Sequence, residues 1–349
     1  MLHSPLLSYT AFYSILISRT FALDTRKPNQ DSFSISDKKY CGIDNHALLS
    51  VFDGHGPDGH SCAWFVKENL HNLFEKYYKQ VHAKTTKSSF HGSLPSGKPE
   101  EWPVTLMTPE LYQDAAIMAH ISCNEELRAS KKVNDLLSGT TSISVGFHQD
   151  FMVTMNVGDS RAILGYLDDN GNMISKHLSH DQTPYRKDER ERVKECGAMI
   201  RSLDQLDGLE PLHENWSDNL GNVIDEDGDP PRLWHRDGEY PGCAFTRSIG
   251  DSLAESIGVF AEPELNVKKI ADKDKIVVIA SDGVFEFIPS QAIIEMCAKY
   301  DNPLDACEHV VSTAYTEWLK RETRTDDITM ICVFLDEIVT DDASNGDTK

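Results

Sequence analysis

ISVGFHQDFMVTMNV, residues 143–157, carries two runs of period two. Ile143, Val145 and Phe147 precede the short connection His148-Gln149-Asp150, and Phe151, Val153, Met155 and Val157 follow it. Alternation of this kind gives each strand one apolar face, so the stretch reads as an antiparallel hairpin. Outward from it, His46 to Phe52, Lys275 to Ala280 and Ile328 to Phe334 read as further strands. Ala11 to Ile17, rich in aromatic and β-branched residues, reads as a first one. Two segments repeat at helical spacing instead: Leu70, Leu73, Phe74, Tyr77 and Val81, then Leu304, Cys307, Val311, Ala314 and Trp318. Hairpins that stand apart from long helices predict an α+β fold of antiparallel sheets covered by helices, not the βαβ alternation of a parallel sheet.

Three stretches break these periods: Ala83 to Thr105, Asp204 to Gly242, and the acidic tail after Asp336. They read as solvent-facing excursions with no regular element that buries a face. The chain has 349 residues, 40% of them hydrophobic, which is enough apolar material for a sizeable core. Lys and Arg number 34 against 56 Asp and Glu, leaving a formal charge of −22. A surface of that sign repels a phosphate backbone and argues against nucleic acid as a partner. The eight cysteines have neither C-x-x-C nor zinc-type histidine spacing and read as reduced, mostly buried thiols. The sequon Asn215-Trp216-Ser217 bears only on a secreted protein.

The first 22 residues lack Lys and Arg ahead of their apolar positions, which Ser, Thr and Tyr interrupt. A strand is therefore expected there in preference to a signal peptide. No run reaches the roughly 18 apolar residues of a membrane span, and Leu2 excludes N-myristoylation. The expected location is cytoplasmic or nuclear, with an N-terminal signal as the lesser alternative.

Acidic residues gather at or near strand ends: Asp31 in KPNQDSF, Asp53 in VFDGHG, Asp282 in IASDGVFE, and Asp326 with Asp327 in RTDDIT. Taken singly, an Asp-Gly pair is most simply a turn. Several of them, each following an apolar strand, point to carboxylates that converge on hard divalent cations. Such cations take oxygen ligands and keep several waters, so a few carboxylates per ion suffice. The DEDGD run is not a calcium loop, because counting from Asp225 the sixth and twelfth places hold Pro230 and Arg236. His55, in the turn after Asp53, is either a core histidine or a proton donor beside the metals. Arg26 is either a surface charge or a fork for phosphate.

NQDSF, SVFDGHG, SGTTS, NVGDSRA, AFTRSIGD, VIASDGVFE and TDDITMI occur in this order. With them the chain resembles the metal-dependent protein phosphatases, also called type 2C serine/threonine phosphatases, from about Tyr13 to Leu335. It is particularly similar to the branch whose phosphatase domain can be fused to cyclic-nucleotide-binding and kinase modules. The resemblance implies one catalytic domain, residues 11–336, with two central antiparallel sheets flanked by helices in an αββα sandwich. It also implies a flap over residues 197–242 bordering the cleft, and a disordered acidic tail over 337–349. Asp53, Asp282, Asp326 and the Gly54 carbonyl would be direct ligands of at least two Mg²⁺ or Mn²⁺ ions per subunit, and Asp31 would hold metal-bound water. Asp159, Asp282 and Glu286 would form a third, weaker site. Three departures stand out: Gln30 and Asp327 replace a common glutamate and asparagine, and Glu286 a more usual aspartate.

The implied reaction is hydrolysis of phosphoserine and phosphothreonine in proteins by a water or hydroxide bridging two cations. Arg26 would hold phosphoryl oxygens and His55 would protonate the leaving oxygen. The rivals are a catalytically silent regulatory module on the same fold, whose mark is a missing ligand, and an enzyme of nucleotides or phosphodiesters. No direct ligand is missing. Phosphorylated proteins are the expected partners of a monomer.

Overall fold

The computed structural model describes residues 10–18, 28–36, 40–43, 46–89, 108–148, 150–214, 216, 229–238 and 240–336. Numbered in chain order, one sheet runs β1 (Thr10–Ser18), β15 (Ile328–Asp336), β14 (Asp274–Ala280), β7 (Arg161–Leu167), β8 (Met173–His177). The other runs β12 (Ile249–Gly250), β4 (Gly139–Thr140), β3 (His46–His55), β5 (Ser142–His148), β6 (Phe151–Val157), β13 (Glu264–Lys269), with β2 (Asp31–Ser36) also on β3. Every pairing in both sheets is antiparallel.

Strand parity creates the layers. In β14, Val277 and Ile279 join Ile331 and Val333 of β15 and Leu49, Val51, Ile143 and Val145 of the other sheet in one core between the sheets. Ile276, Val278 and Ala280 face the opposite way, onto α6 (Ser290–Cys297) and α7 (Pro303–Arg321). Leu48 and Phe52 of β3 likewise turn to α1 (Gly59–Ser89) and α2 (Pro109–Ala129), where Leu70, Phe74, Tyr78, Tyr112 and Ala119 meet them. Helix, sheet, sheet, helix is the expected αββα order. A fully buried aliphatic or aromatic side chain contributes about 1.5–3 kcal/mol, so three such cores dominate what holds the layers together.

Four details correct the sequence reading. In the hairpin His148 pairs with Phe151, leaving only residues 149 and 150 between the strands. That pairing sets Ile143 opposite Asn156 and puts the two apolar runs on opposite faces of the sheet, both of them buried. In α7, Leu304 is 39% exposed, and Val310 takes the core place instead. α1 runs on to Ser89, seven residues into the first stretch expected to be irregular, and Ala83 is buried. Lastly, the stretch from Asp204 does contain regular elements. Here β9 (Met199–Arg201), β10 (Arg232–Trp234) and β11 (Pro241–Cys243) form a small sheet beside α3 (Lys187–Glu195) and α4 (Leu203–Leu206). Val193, Ile200, Leu233, Cys243, Phe245 and Ile257 make its own core. Residues 217–228 and the tail 337–349 lie outside the described residues.

All eight cysteines are free, and all but Cys196 are buried. Among the described residues no helix is long and apolar enough to cross a membrane.

His46 and His148 sit against each other in the core under α1 and α2, ring centroids 4.9 Å apart, and burial drives their pKa values from 6.5 to about 3 and about 4. A histidine whose folded pKa lies below its unfolded one takes up its proton first in the unfolded chain. The stability it contributes is therefore complete above pH 6.5 and is lost as pH falls toward 4. His148→Phe keeps the ring and removes one titration. Its melting temperature, measured from pH 7 to pH 4, is expected to fall less steeply than that of the wild type; an equal slope would place the acid sensitivity elsewhere.

Candidate active site

The two sheets bring their acidic ends together. Asp31 opens β2 and stands directly opposite Asp53 in β3, a like-charge pair that is destabilising by itself. Asp282 follows β14 as the first residue of α5 (Asp282–Phe285), and Asp326 lies just before β15. Asp282 lies close enough to Asp53 to raise its pKa, and Ser281 Oγ donates to Asp31 Oδ2 at 2.9 Å, so the cluster spans both sheets. Asp159 joins from the turn between β6 and β7, and Glu286 from the end of α5.

Electrostatics show how tightly these groups crowd. Burial, then Asp327 and Asp326, lift the Asp31 carboxyl to about 7 against the hydrogen bond from Ser281. Burial, then Asp31, Asp282, Asp326 and Asp159, push Asp53 well above the carboxylate range. Asp282 is driven up by burial, then by Asp159, Asp326 and Glu286. Asp159 is raised to about 6 by burial and then Asp181, and Glu286 is raised by burial and then Asp159 and Asp326. Oδ1 of Asp31 and Oδ1 of Asp282 are buried without a hydrogen-bond partner.

Orphaned carboxylate oxygens among mutually repelling carboxylates are what an oxygen-loving cation relieves, so the residues fit Mg²⁺ or Mn²⁺. Among the described residues no three His, Cys, Asp or Glu side chains are drawn together tightly enough to hold an ion by themselves. Gly54 lies where three segments meet: a Cβ there would stand 2.3 Å from the Gly59 carbonyl oxygen and 2.7 Å from that of Gln30. Only glycine allows that approach.

A cleft of about 510 Å³ opens over the cluster, lined by Asp53, Asp159, Asp282, Asp326 and His55, with Arg232, Tyr240 and Phe245 on the side of the small sheet. His55 ends β3 instead of sitting in a turn. Its Nε2 is 2.5 Å from Asp251 Oδ2, and its ring lies 4.2 Å from that of Phe245. Burial opposes a charged ring, but the Asp251 carboxylate outweighs it and raises the His55 pKa. The sequence reading quoted Asp251 within AFTRSIGD without a role. Its separation of 196 residues from His55 hides the pair, and its φ of +51°, unusual for a non-glycine, is invisible in sequence.

Two further residues went unnoticed. Arg161 is buried behind Asp159 and Glu286, donates from Nε to Asp181 at 2.9 Å, and lies over the Phe285 ring. Arg232 reaches the cleft from β10. Gln30, which stands where glutamate is common, is held by two hydrogen bonds. Its Nε2 donates to the Gly56 carbonyl at 2.8 Å, and its backbone N–H donates to Asp327 Oδ2 at 2.8 Å. A glutamate there has no N–H to give. Arg26 lies outside the described residues.

The family model described as Protein phosphatase 2C matches residues 24–318. The chain is 41% identical over 334 residues to "Probable protein phosphatase 2C 35" of Arabidopsis thaliana, covering 95% of this chain and 86% of that one. It is 28% identical over 312 residues to "Probable protein phosphatase 2C 48" of Oryza sativa subsp. japonica, covering 88% and 80%. In fold it is similar to the serine-threonine phosphatase 2C of Toxoplasma gondii, with a TM-score of 0.69 at 21% identity over 96% of this chain and 99% of that one. An αββα sandwich with its acidic cluster at the meeting of the sheets, and a match of this extent, lead to one statement: the chain belongs to the protein phosphatase 2C family of metal-dependent serine/threonine protein phosphatases.

Proposed function

We propose that Asp53, Asp282, Asp326 and the Gly54 carbonyl hold at least two divalent cations, with Asp31 engaging water bound to them and Asp159, Asp282 and Glu286 making a weaker third site. The observation that supports this reading best is the Asp31–Asp53 pair facing Asp282, with Oδ1 of Asp31 and Oδ1 of Asp282 buried without a partner. Bound there, the cations supply charge neutralisation for the phosphoryl oxygens and an acidified water as nucleophile. Arg26 binds phosphoryl oxygens through its fork. His55, held protonated by Asp251, gives its proton to the departing serine or threonine oxygen.

We take residues 11–336 as a single phosphatase domain with the flap over 197–242 and an acidic tail beyond it. The working protein is read as a monomer of the cytoplasm or nucleus, acting on phosphorylated proteins. A kinship with the branch that fuses cyclic-nucleotide-binding and kinase modules rests on the motif sequence.

The leaving group tests the role of His55. An alkoxide of serine or threonine needs a proton, whereas p-nitrophenolate leaves readily without one. Asp251→Asn removes the charge that raises the His55 pKa. It is expected to lower kcat on a phosphothreonine peptide at least about tenfold, within the range for general-acid catalysis, while p-nitrophenyl phosphate hydrolysis falls much less. Equal losses on both substrates would return the pair to a structural part.

A further inference from the structure

A second and larger hollow lies on the other side of the strand that carries Asp31. At the start of β2 the residues alternate: Gln30 lines the catalytic cleft, while Asn29 and Asp31 line a groove of about 1090 Å³. That volume is large enough to admit a length of extended chain. Its apolar wall is Phe33, Phe65 and Trp64, the last 58% exposed, a large aromatic left in water. Lys67 Nζ stands 4.7 Å from the Trp64 ring and 5.2 Å from that of Phe33, and Lys131 and Lys132, both exposed, line the groove as well. On a chain of net charge −22, three lysines around an exposed tryptophan run against the surface average. The groove's own carboxylates are Glu68 and Asp31, and the latter is turned to Ser281.

We propose that this groove is a substrate subsite that receives an acidic stretch of the phosphoprotein flanking the phosphorylated residue. The proposal rests on the catalytic reading given above, since the groove matters to substrate only if the adjoining cleft holds the phosphate. Adjacency supplies the geometry, for a chain leaving the cleft across β2 enters the groove. Lysines at its rim steer and select acidic side chains. Trp64 offers the rigid aromatic surface typical of an energetic anchor.

The test uses the full chain with Mn²⁺ and three substrates: a phosphothreonine peptide with glutamate flanks, the same peptide with lysine flanks, and p-nitrophenyl phosphate. The wild type is expected to favour the glutamate peptide at least about tenfold in kcat/KM. K131E/K132E is expected to abolish or reverse that preference through KM, and Trp64→Ala to raise KM for the glutamate peptide about tenfold. Turnover of p-nitrophenyl phosphate stays unchanged in both variants. The Kd of the two labelled peptides, read by fluorescence anisotropy, decides the same preference without turnover. An unaltered preference in K131E/K132E, or a parallel loss on p-nitrophenyl phosphate, overturns the subsite. Failure of the wild type to hydrolyse any of the three is a separate result that sinks the catalytic reading, and the Kd values still judge the groove.

Discussion

Asp282→Asn is expected to lose at least about a hundredfold in kcat on a phosphothreonine peptide, the scale of removing a key electrostatic group, and yet to melt in EDTA no lower than the wild type. The substitution keeps the shape and one oxygen acceptor and removes the charge. In the fold Asp282 meets Asp159, Asp326 and Glu286, and burial together with these neighbours holds its pKa far above the ordinary value. A carboxyl whose folded pKa exceeds its unfolded one favours the fold in acid and costs stability as pH rises through the folded value. At neutral pH in chelator the wild type carries that cost and the asparagine variant does not. Titration calorimetry with Mn²⁺ is expected to show weakened binding or a lost site. Near-normal turnover and Mn²⁺ affinity in the variant would reduce Asp282 to the residue that opens α5.

Chelation provides the second large effect. In EDTA the wild type is expected to release no phosphate from the peptide, and added Mn²⁺ or Mg²⁺ restores release. Asp53, Asp159, Asp251, Asp282 and Asp326 line the cleft, and the described residues that line it offer Arg232 and His55 as cations against them. Side chains alone thus leave an incoming phosphate facing net negative charge. Melting temperature should rise with the same additions, because a ligand bound only by the folded chain stabilises it by about 2.7 kcal/mol at a hundred times its Kd. Full activity in chelator would remove the metal hypothesis. Activity restored by Mn²⁺ without any thermal shift would place the cation on the substrate instead.

Much of this was legible in the sequence, for reasons that differ by element. β3 and β15 were readable because their apolar runs are long. The match of Asp31, Asp53, Asp282 and Asp326 to one cluster was readable because each follows or opens such a run. The facing of the central hairpin was not. Both faces of β5 and β6 are buried, so period two could not tell inside from outside, and the loop length that decides it differs by one residue. β10 escaped because its three residues sit beside a run of acids, prolines and glycines, and Leu233 and Trp234 find their core only through Ile200 and Phe245. Asp251 escaped because a pair 196 residues apart leaves no local trace.

The cluster draws Asp31 and Asp53 from one sheet and Asp282 and Asp326 from the other, and Ser281 already ties them. A cation held by carboxylates of both sheets would therefore be a fastener at one end of the apolar core that already joins them. Local opening of one sheet from the other would be damped most where the fastener sits. Amide hydrogen exchange should then slow together at the start of β2 and the end of β14 on adding Mn²⁺, with little change on the far flank of either helical layer. The same ion would in that way set both the chemistry and the mechanical stiffness of the sandwich.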